Sequence, residues 1–190
     1  MLISKFNNKN IEQHIAGFEE KYHFKFPDVY RRFLRKYNGG QTPDTKFKLK
    51  GVSSDLSGFY GFGDAEALFN YTKLEDLIAI ADFINDCVIP IANNSFGDLI
   101  LIGIGPNNDE TIYFLYHDRP KSYKILSKNF ERFVRNCKSE EIGYIRTIEE
   151  RKQGMIDNGL GHLISPEFIQ DWQEEINRYG NIEQETLELN

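Results

Sequence analysis

Apolar residues near the start of the chain recur every three or four positions, which is the period of an amphipathic helix. A helix is therefore predicted after Asn10, whose side chain is suited to capping, from a stripe of four residues: Ile11, Ile15, Phe18 and Tyr22. Pro27 interrupts this pattern and fits the first turn of a second helix, because proline has no N–H to leave unpaired there. The second helix should end at the Asn-Gly-Gly sequence of residues 38–40, since glycine readily adopts the left-handed conformation that closes helices.

The middle of the chain changes to short runs that are typical of β-strands. Residues 46–50 alternate lysine with apolar residues, which predicts a half-buried strand whose lysines protect a sheet edge. Three later runs, at 87–92, 98–104 and 111–116, are joined by short turns and predict an antiparallel meander. Pro90 lies in the first of them and places that strand at an edge or at a bend, because proline cannot donate to a ladder.

Two more helices are predicted around these strands. One begins at Thr72, which forms a capping-box pattern with Glu75. The other is capped by Ser127 and carries Phe130 and Phe133. The resulting order of elements favours an α+β fold, in which helices pack on a mainly antiparallel sheet, with a mixed sheet as the alternative.

The last part of the chain differs in charge from the rest. Residues 1–139 hold 19 Lys and Arg against 17 Asp and Glu, whereas residues 140–190 hold 4 against 12. We therefore expect a domain at 1–139 followed by an acidic helical extension at 140–190. In the extension, Ser165 and Pro166 predict the start of a helix, and one apolar face follows, made of Phe168, Ile169, Trp172, Ile176 and Tyr179.

That apolar face must be covered, because most helix stability comes from the burial of such a face. The expected cover is the main domain of the same chain, and the alternative is a homodimer formed through Phe168, Trp172, Ile176 and Tyr179. The last residues, Asn181 to Asn190, are polar and acidic, and we expect them to be mobile.

Charge and composition exclude several classes of function. The net charge of −6 and the nearly neutral main domain argue against nucleic-acid binding, which needs a basic surface. No apolar run approaches the roughly 20 residues of a membrane span, and the N-terminus lacks the apolar core of a secretory signal. Cys87 and Cys137 are too few for a disulfide framework or a metal site. We therefore expect a cytoplasmic protein without a metal or cofactor.

Candidate catalytic residues are weakly supported by the sequence. None of the four histidines has the spacing of a zinc site, and Ser95 and Ser127 lack a nucleophile motif. His117, beside Asp118 at the end of a predicted strand, is the best acid–base candidate, and a surface turn is the favoured interpretation of this pair. We therefore predict no catalytic residues and no enzyme.

Several of these features together form a pattern that resembles a known family. The matching residues are Glu19 in the first helix, Pro27, the Asn38-Gly39-Gly40 terminus, and Gly97-Asp98 before an apolar strand. With His117-Asp118 after the next strand, the pattern is similar to the SUKH superfamily, the Smi/Knr-type immunity and regulatory proteins, over about residues 8–138. The resemblance implies that the motif residues determine the fold rather than contact a partner.

The resemblance also implies a protein-binding module without a conserved catalytic apparatus. Bacterial members typically neutralise a polymorphic toxin, often a nuclease or deaminase, and fungal relatives act as regulatory scaffolds. We expect an immunity protein that occludes a toxin with the exposed face or the concavity of its sheet and with aromatic residues of the 51–63 loop. Phe59, Tyr60 and Phe62 are the candidate contacts, with core packing as the alternative for them. A scaffold of the same fold, or a ligand-binding protein or enzyme with a site near His117, are the alternative functions.

Overall fold

The two N-terminal helices form where the sequence predicts them. In this computed structural model, which describes residues 1–180 and 182–189, helix α1 spans Ile11–Tyr22 and helix α2 spans Asp28–Tyr37. The predicted side-chain cap at Asn10 is wrong: this residue has a left-handed backbone, with φ of 58°, and its carbonyl accepts the Gln13 and His14 N–H groups instead. Asn38, not a glycine, takes the left-handed conformation that ends α2.

The sheet contains nine strands in the described part of the chain. Its strand order is β7-β6-β5-β4-β3-β2-β1-β9, with β8 also on β2, and every strand pair is antiparallel. The α+β prediction is therefore confirmed, and strands β2 to β7 form one meander in chain order. The strands are β1 Leu2–Lys5, β2 Gly40–Leu49, β3 Val52–Phe59, β4 Val88–Asn93, β5 Leu99–Gly103, β6 Ile112–Leu115, β7 Lys124–Ser127, β8 Lys138–Ser139 and β9 Glu185–Thr186.

Two predictions about sheet edges are wrong. The lysine-rich strand β2 lies inside the sheet, between β3 on one side and β1 and β8 on the other. Strand β4 is also internal, and it accommodates Pro90 by a shift of register between Pro90 and Ala92. Of the two alternatives predicted at Pro90, an edge or a bend, the edge is excluded, and the shift of register is what the structure shows. Beside this shift, the backbone carbonyls accept hydrogen bonds from two buried tyrosines, Tyr71 to Pro90 at 2.8 Å and Tyr30 to Ile91 at 3.4 Å.

The remaining helices are α3 Tyr71–Leu77, α4 Ile80–Asn85, α5 Phe130–Asn136, α6 Ile148–Asp157 and α7 Pro166–Tyr179. The helix predicted from Thr72 is split into α3 and α4, and Asn70 caps it rather than Thr72. Asn129 caps α5, because Ser127 still belongs to strand β7. Helix α6 was not predicted, although Thr147 and Glu150 form a complete capping box at its start.

The core lies between the helices and one face of the sheet. Phe33 of α2 contacts Phe130 of α5 and Phe59 of β3, with ring centroids 5.4 and 5.0 Å apart. Phe133 of α5 contacts Phe47 of β2. These aromatic contacts fix the helices on the sheet, since such pairs add to the apolar area that burial removes from water.

The chain divides into two compact units. The first, which we call the body, comprises Met1–Glu140 together with residues 184–189, and the second, the helical unit, comprises Glu141–Glu183. Residues 184–189, which we call the tail, pair with strand β1 and bury Leu187. The expectation that the chain end is mobile is therefore corrected for the tail, while Asn181 and Asn190 lie outside the described residues. The assignment of domains at 1–139 and 140–190 stays a prediction, and the tail lies with the body rather than with the helical unit.

Candidate protein-binding surfaces

Glu19 connects the end of α1 to the start of α2. Its side chain is 1% exposed, and its carboxylate accepts hydrogen bonds from the Phe26 N–H at 3.1 Å and from Lys25 Nζ at 2.8 Å. Arg31 of α2 adds an ion pair at 3.5 Å. A buried carboxylate is tolerated only when it is paired in this way, so Glu19 holds the connection that places Pro27 before α2.

The Asn38-Gly39-Gly40 sequence joins α2 to the segment after β3. The Asn38 side chain accepts the Phe62 N–H at 2.8 Å and donates to the Phe62 carbonyl at 2.9 Å. Gly39 has φ of +76°, and a Cβ atom at this position would lie 2.6 Å from the carbonyl oxygens of Phe59 and Tyr60. Only glycine allows both this backbone conformation and this close approach, which supports a structural role for the sequence.

Gly97 and Asp98 build a turn that holds the end of strand β6. The Asp98 carboxylate accepts hydrogen bonds from the His117 N–H at 2.9 Å, from His117 Nδ1 at 2.7 Å and from Asn94 Nδ2 at 3.0 Å. Burial raises the pKa of Asp98, but the bonds from His117 and Asn94 outweigh it and leave this pKa below its ordinary value. Gly97 has φ of +81° with open space around it, so its backbone angle alone requires glycine.

The structure pairs the His117 ring with Asp98 and not with Asp118, its neighbour in sequence. One ring nitrogen is engaged by Asp98, and the ring is largely exposed on a surface turn. Asp118, its neighbour in sequence, pairs with Arg119 at 3.8 Å. Within the described residues, no group of His, Cys, Asp or Glu side chains could hold a metal ion. The contacts between His117 and Asp98 therefore fix the turn to the end of strand β6.

The candidate contact residues of the 51–63 loop lie in the core instead. Phe59, Tyr60 and Phe62 are 0, 2 and 4% exposed. Phe59 belongs to strand β3, and Phe62 packs between Phe18 and Tyr71, with ring centroids 5.3 and 4.7 Å away. The prediction that they contact a partner is corrected, because these side chains present no surface to one.

The outer face of the sheet carries a small cavity. Leu101 and Leu115 point away from the main core, because side chains alternate along a strand, and they form a second buried cluster with Val88. Phe83 and Tyr123 pack against this cluster, and a cavity of roughly 180 Å³ lies beside it. The cavity is lined by acidic and basic side chains alike, namely Asp82, Asp86 and Lys121. The charge of this cavity therefore does not indicate which kind of partner would bind there.

The helical unit differs from the body in burial. None of its described residues is buried, and Phe168 on α7 is 46% exposed. Ser165 caps α7 by accepting the Phe168 N–H at 3.3 Å, and Pro166 occupies the first turn, so the predicted start of this helix is observed. The predicted apolar face of α7 is thus observed, but none of its side chains is buried.

A cleft within the helical unit surrounds the single tryptophan of the chain. It has a volume of roughly 780 Å³ and is lined by Tyr144, Met155, Leu160 and Trp172, among others. Arg151 lies 5.9 Å from the Trp172 ring and pairs with Glu175 at 2.7 Å. The whole unit holds nine Asp and Glu against four Lys and Arg, a net charge of −5. Aromatic and aliphatic side chains are therefore presented on a strongly acidic unit.

Among the described helices, none combines the length and the apolar character that a membrane crossing requires.

Comparison of the sequence with known protein families finds a match to one family model. The model of the SMI1/KNR4 family (SUKH-1) matches residues 11–136, which covers α1 through α5 and every motif residue described above. No curated protein matches the chain. The helical unit and the tail lie outside the matched residues.

Proposed function

The chain belongs to the SMI1/KNR4 (SUKH-1) family, and on that basis we propose that it is a non-catalytic immunity protein that binds and occludes the toxic domain of a polymorphic toxin. The toxin is a nuclease or a deaminase, which are common targets of bacterial proteins with this fold. The complex forms in the cytoplasm, where such a toxin would act on the cell that makes it.

The acidic helical unit, in which none of the described residues is buried, is the observation that supports this proposal best. A nuclease domain must carry a basic surface to hold its substrate phosphates. An acidic unit with a net charge of −5 complements such a surface and steers its approach. The partly exposed Phe168 and Trp172 supply aromatic anchors of the type that dominates many interfaces.

Co-expression tests the proposal. The tagged chain is produced together with the product of the large open reading frame beside its gene, and growth and co-purification are measured. We expect a stoichiometric complex and rescue of cell growth. The variant Phe168→Glu should weaken both, because it places a charge in the apolar contact, whereas Phe96→Glu, at an exposed position of the body, is the matched control. Toxicity that persists with the wild-type chain, and no complex, would contradict the proposal.

A regulatory scaffold that self-associates through α7 is the second candidate. The partly exposed apolar face, with Phe168, Trp172, Ile176 and Tyr179, favours it, because such a face is stabilised by a second copy. The charge of −5 on each helical unit opposes it, since like charges repel across an interface. Sedimentation of the pure chain distinguishes the two: a dimer that Phe168→Glu dissociates supports the scaffold, and a monomer at all concentrations excludes it.

A further inference from the structure

The tail lies in a groove between strand β1 and helix α5. Its residues Thr186 and Glu185 pair with Leu2 and Ile3 of β1, and the Leu187 N–H donates to the Met1 carbonyl at 3.0 Å. Leu187 is 6% exposed and joins the main core. The tail therefore binds as an added edge strand with one anchoring side chain, which is how extended peptides bind to many sheets.

Tyr37 of α2 holds the tail on its other side. The Tyr37 hydroxyl accepts the Glu188 N–H at 2.9 Å and donates to the Glu188 carbonyl at 3.2 Å. Two lysines complete the groove, Lys5 with Glu185 at 2.9 Å and Lys36 with Glu188 at 3.6 Å. The groove thus recognises the backbone of the tail, the apolar side chain of Leu187, and the acidic residues Glu185 and Glu188, which lie before and after Leu187 in the sequence.

The tail fills this groove incompletely. A cavity of roughly 150 Å³ remains between the tail and helix α5, and both charged and apolar side chains line it: Glu131, Val134, Arg135, Leu187, Glu188 and Leu189. Apart from the buried Leu187 side chain and the two hydrogen bonds of Tyr37, the tail is held only by a two-residue ladder and by ion pairs between exposed side chains, which contribute little. Both observations indicate a binding site that is larger than its occupant and an occupant that can leave.

We propose that the groove of β1, Tyr37 and α5 is a strand-binding site, and that the tail is an internal ligand which an extended segment of a partner protein displaces. The partner segment carries an apolar side chain at the position of Leu187, a larger apolar side chain at the position of Leu189, and acidic residues at the positions of Glu185 and Glu188. This site is separate from the helical unit, and the inference does not depend on the identity of a toxin.

A peptide with the tail sequence tests the proposal directly. The probe is a fluorescent synthetic peptide of residues 182–190, and its anisotropy is measured with the chain ended at Glu183 and with the full chain. We expect saturable one-to-one binding to the shortened chain. Binding to the full chain should be about tenfold weaker, because the attached tail competes at an effective concentration in the millimolar range.

Variants of the peptide distinguish specific binding from nonspecific binding. Replacing Leu187→Glu should abolish saturable binding, and Leu189→Phe should strengthen it severalfold, because the larger ring fills the cavity. Glu183→Gln, at an exposed position before the tail, should leave binding unchanged. Tyr37→Phe in the shortened chain should weaken binding of the unaltered peptide, since the hydroxyl makes two hydrogen bonds to it.

A second preparation keeps the test valid when the shortened chain does not fold. A protease site is placed between Glu183 and Gln184, the full chain is folded and cleaved, and gel filtration shows whether the tail stays bound and exchanges with the fluorescent peptide. A dimer that the peptide converts to monomers would contradict the proposal, because the tail of a second copy, and not an internal tail, would then occupy the groove. Equal affinity of the peptide for the full and shortened chains, or no saturable binding to a folded chain without its tail, would overturn it.

Discussion

Gly39 provides the sharpest test of how the body is held together. The change is Gly39→Ala, and Gly51→Ala is the matched control. Both glycines have positive φ, of +76° and +81°, but an added Cβ meets the Phe59 and Tyr60 carbonyls only at Gly39 and open space at Gly51. Comparison of the two variants therefore isolates the close approach from the backbone angle.

The expected magnitudes follow from these two contributions. A left-handed conformation costs a residue with a Cβ about 1–2 kcal/mol, and this is the whole cost at Gly51. Overpacking adds about 1–3 kcal/mol in a well-packed site, and the contacts at Gly39 are to backbone atoms, which move least easily. Gly39→Ala should therefore cost about 2–5 kcal/mol, which in a chain of this size lowers the melting temperature by about 4–20 °C.

Thermal and urea unfolding followed by circular dichroism give the measurement. Gly97→Ala, whose glycine also has positive φ and no close neighbour, should behave like Gly51→Ala although it belongs to the family motif. Equal losses of stability in the Gly39 and Gly51 variants would refute the argument, because the path of the segment after β3 would then tolerate a side chain at Gly39.

Two further predictions concern titratable groups. The pKa of Asp98 lies below its ordinary value, so its hydrogen bonds contribute stability that is complete above about pH 4 and is lost as the pH falls through the lowered pKa. The difference in unfolding free energy between the wild type and Asp98→Asn should therefore shrink as the pH falls through this window. A difference that stays constant would contradict the prediction. Burial raises the pKa of Cys137 to about 12, whereas Cys87 is exposed, so iodoacetamide at pH 8 should label one cysteine per folded chain, and mass spectrometry should locate the label at Cys87.

Helices with a clear period of apolar residues and with residues that mark their ends could be predicted from the sequence. Helices α1, α2 and α7 each have an apolar stripe, and α2 and α7 also have a proline at their start; these signals are local. Helix α6 lacks a continuous stripe and contains Gly154, so its only strong signal was the capping box at Thr147. That signal was present and could have identified the start of the helix.

The short strands at the end of the sheet could not be predicted in the same way. Strands β1 and β9 are far apart in sequence, and the tail is polar except for Leu187 and Leu189. Its position depends on pairing with β1 and on Tyr37, which are long-range contacts that no local pattern encodes.

The aromatic residues after β3 show a different cause of error. Glycine and serine surround Phe59 and Phe62, and this composition is typical of an exposed loop. In the structure the small residues allow the chain to pass close to other backbone segments, as at Gly61 beside the Asn38 carbonyl, while the aromatic rings turn into the core. The composition of this segment therefore predicted a loop that is only partly present. It gave no information on the direction in which the aromatic rings point.

Neutralisation of a toxin by direct binding is measured most clearly with purified proteins. A toxic domain that co-purifies with the chain in the co-expression test is titrated with the wild-type chain while its activity and the mass of the complex are followed. We expect activity to fall to zero at one equivalent, with a one-to-one complex, and Phe168→Glu to shift the curve to higher concentration while Phe96→Glu does not. Full toxin activity at a large excess of the folded wild-type chain would contradict the proposed function.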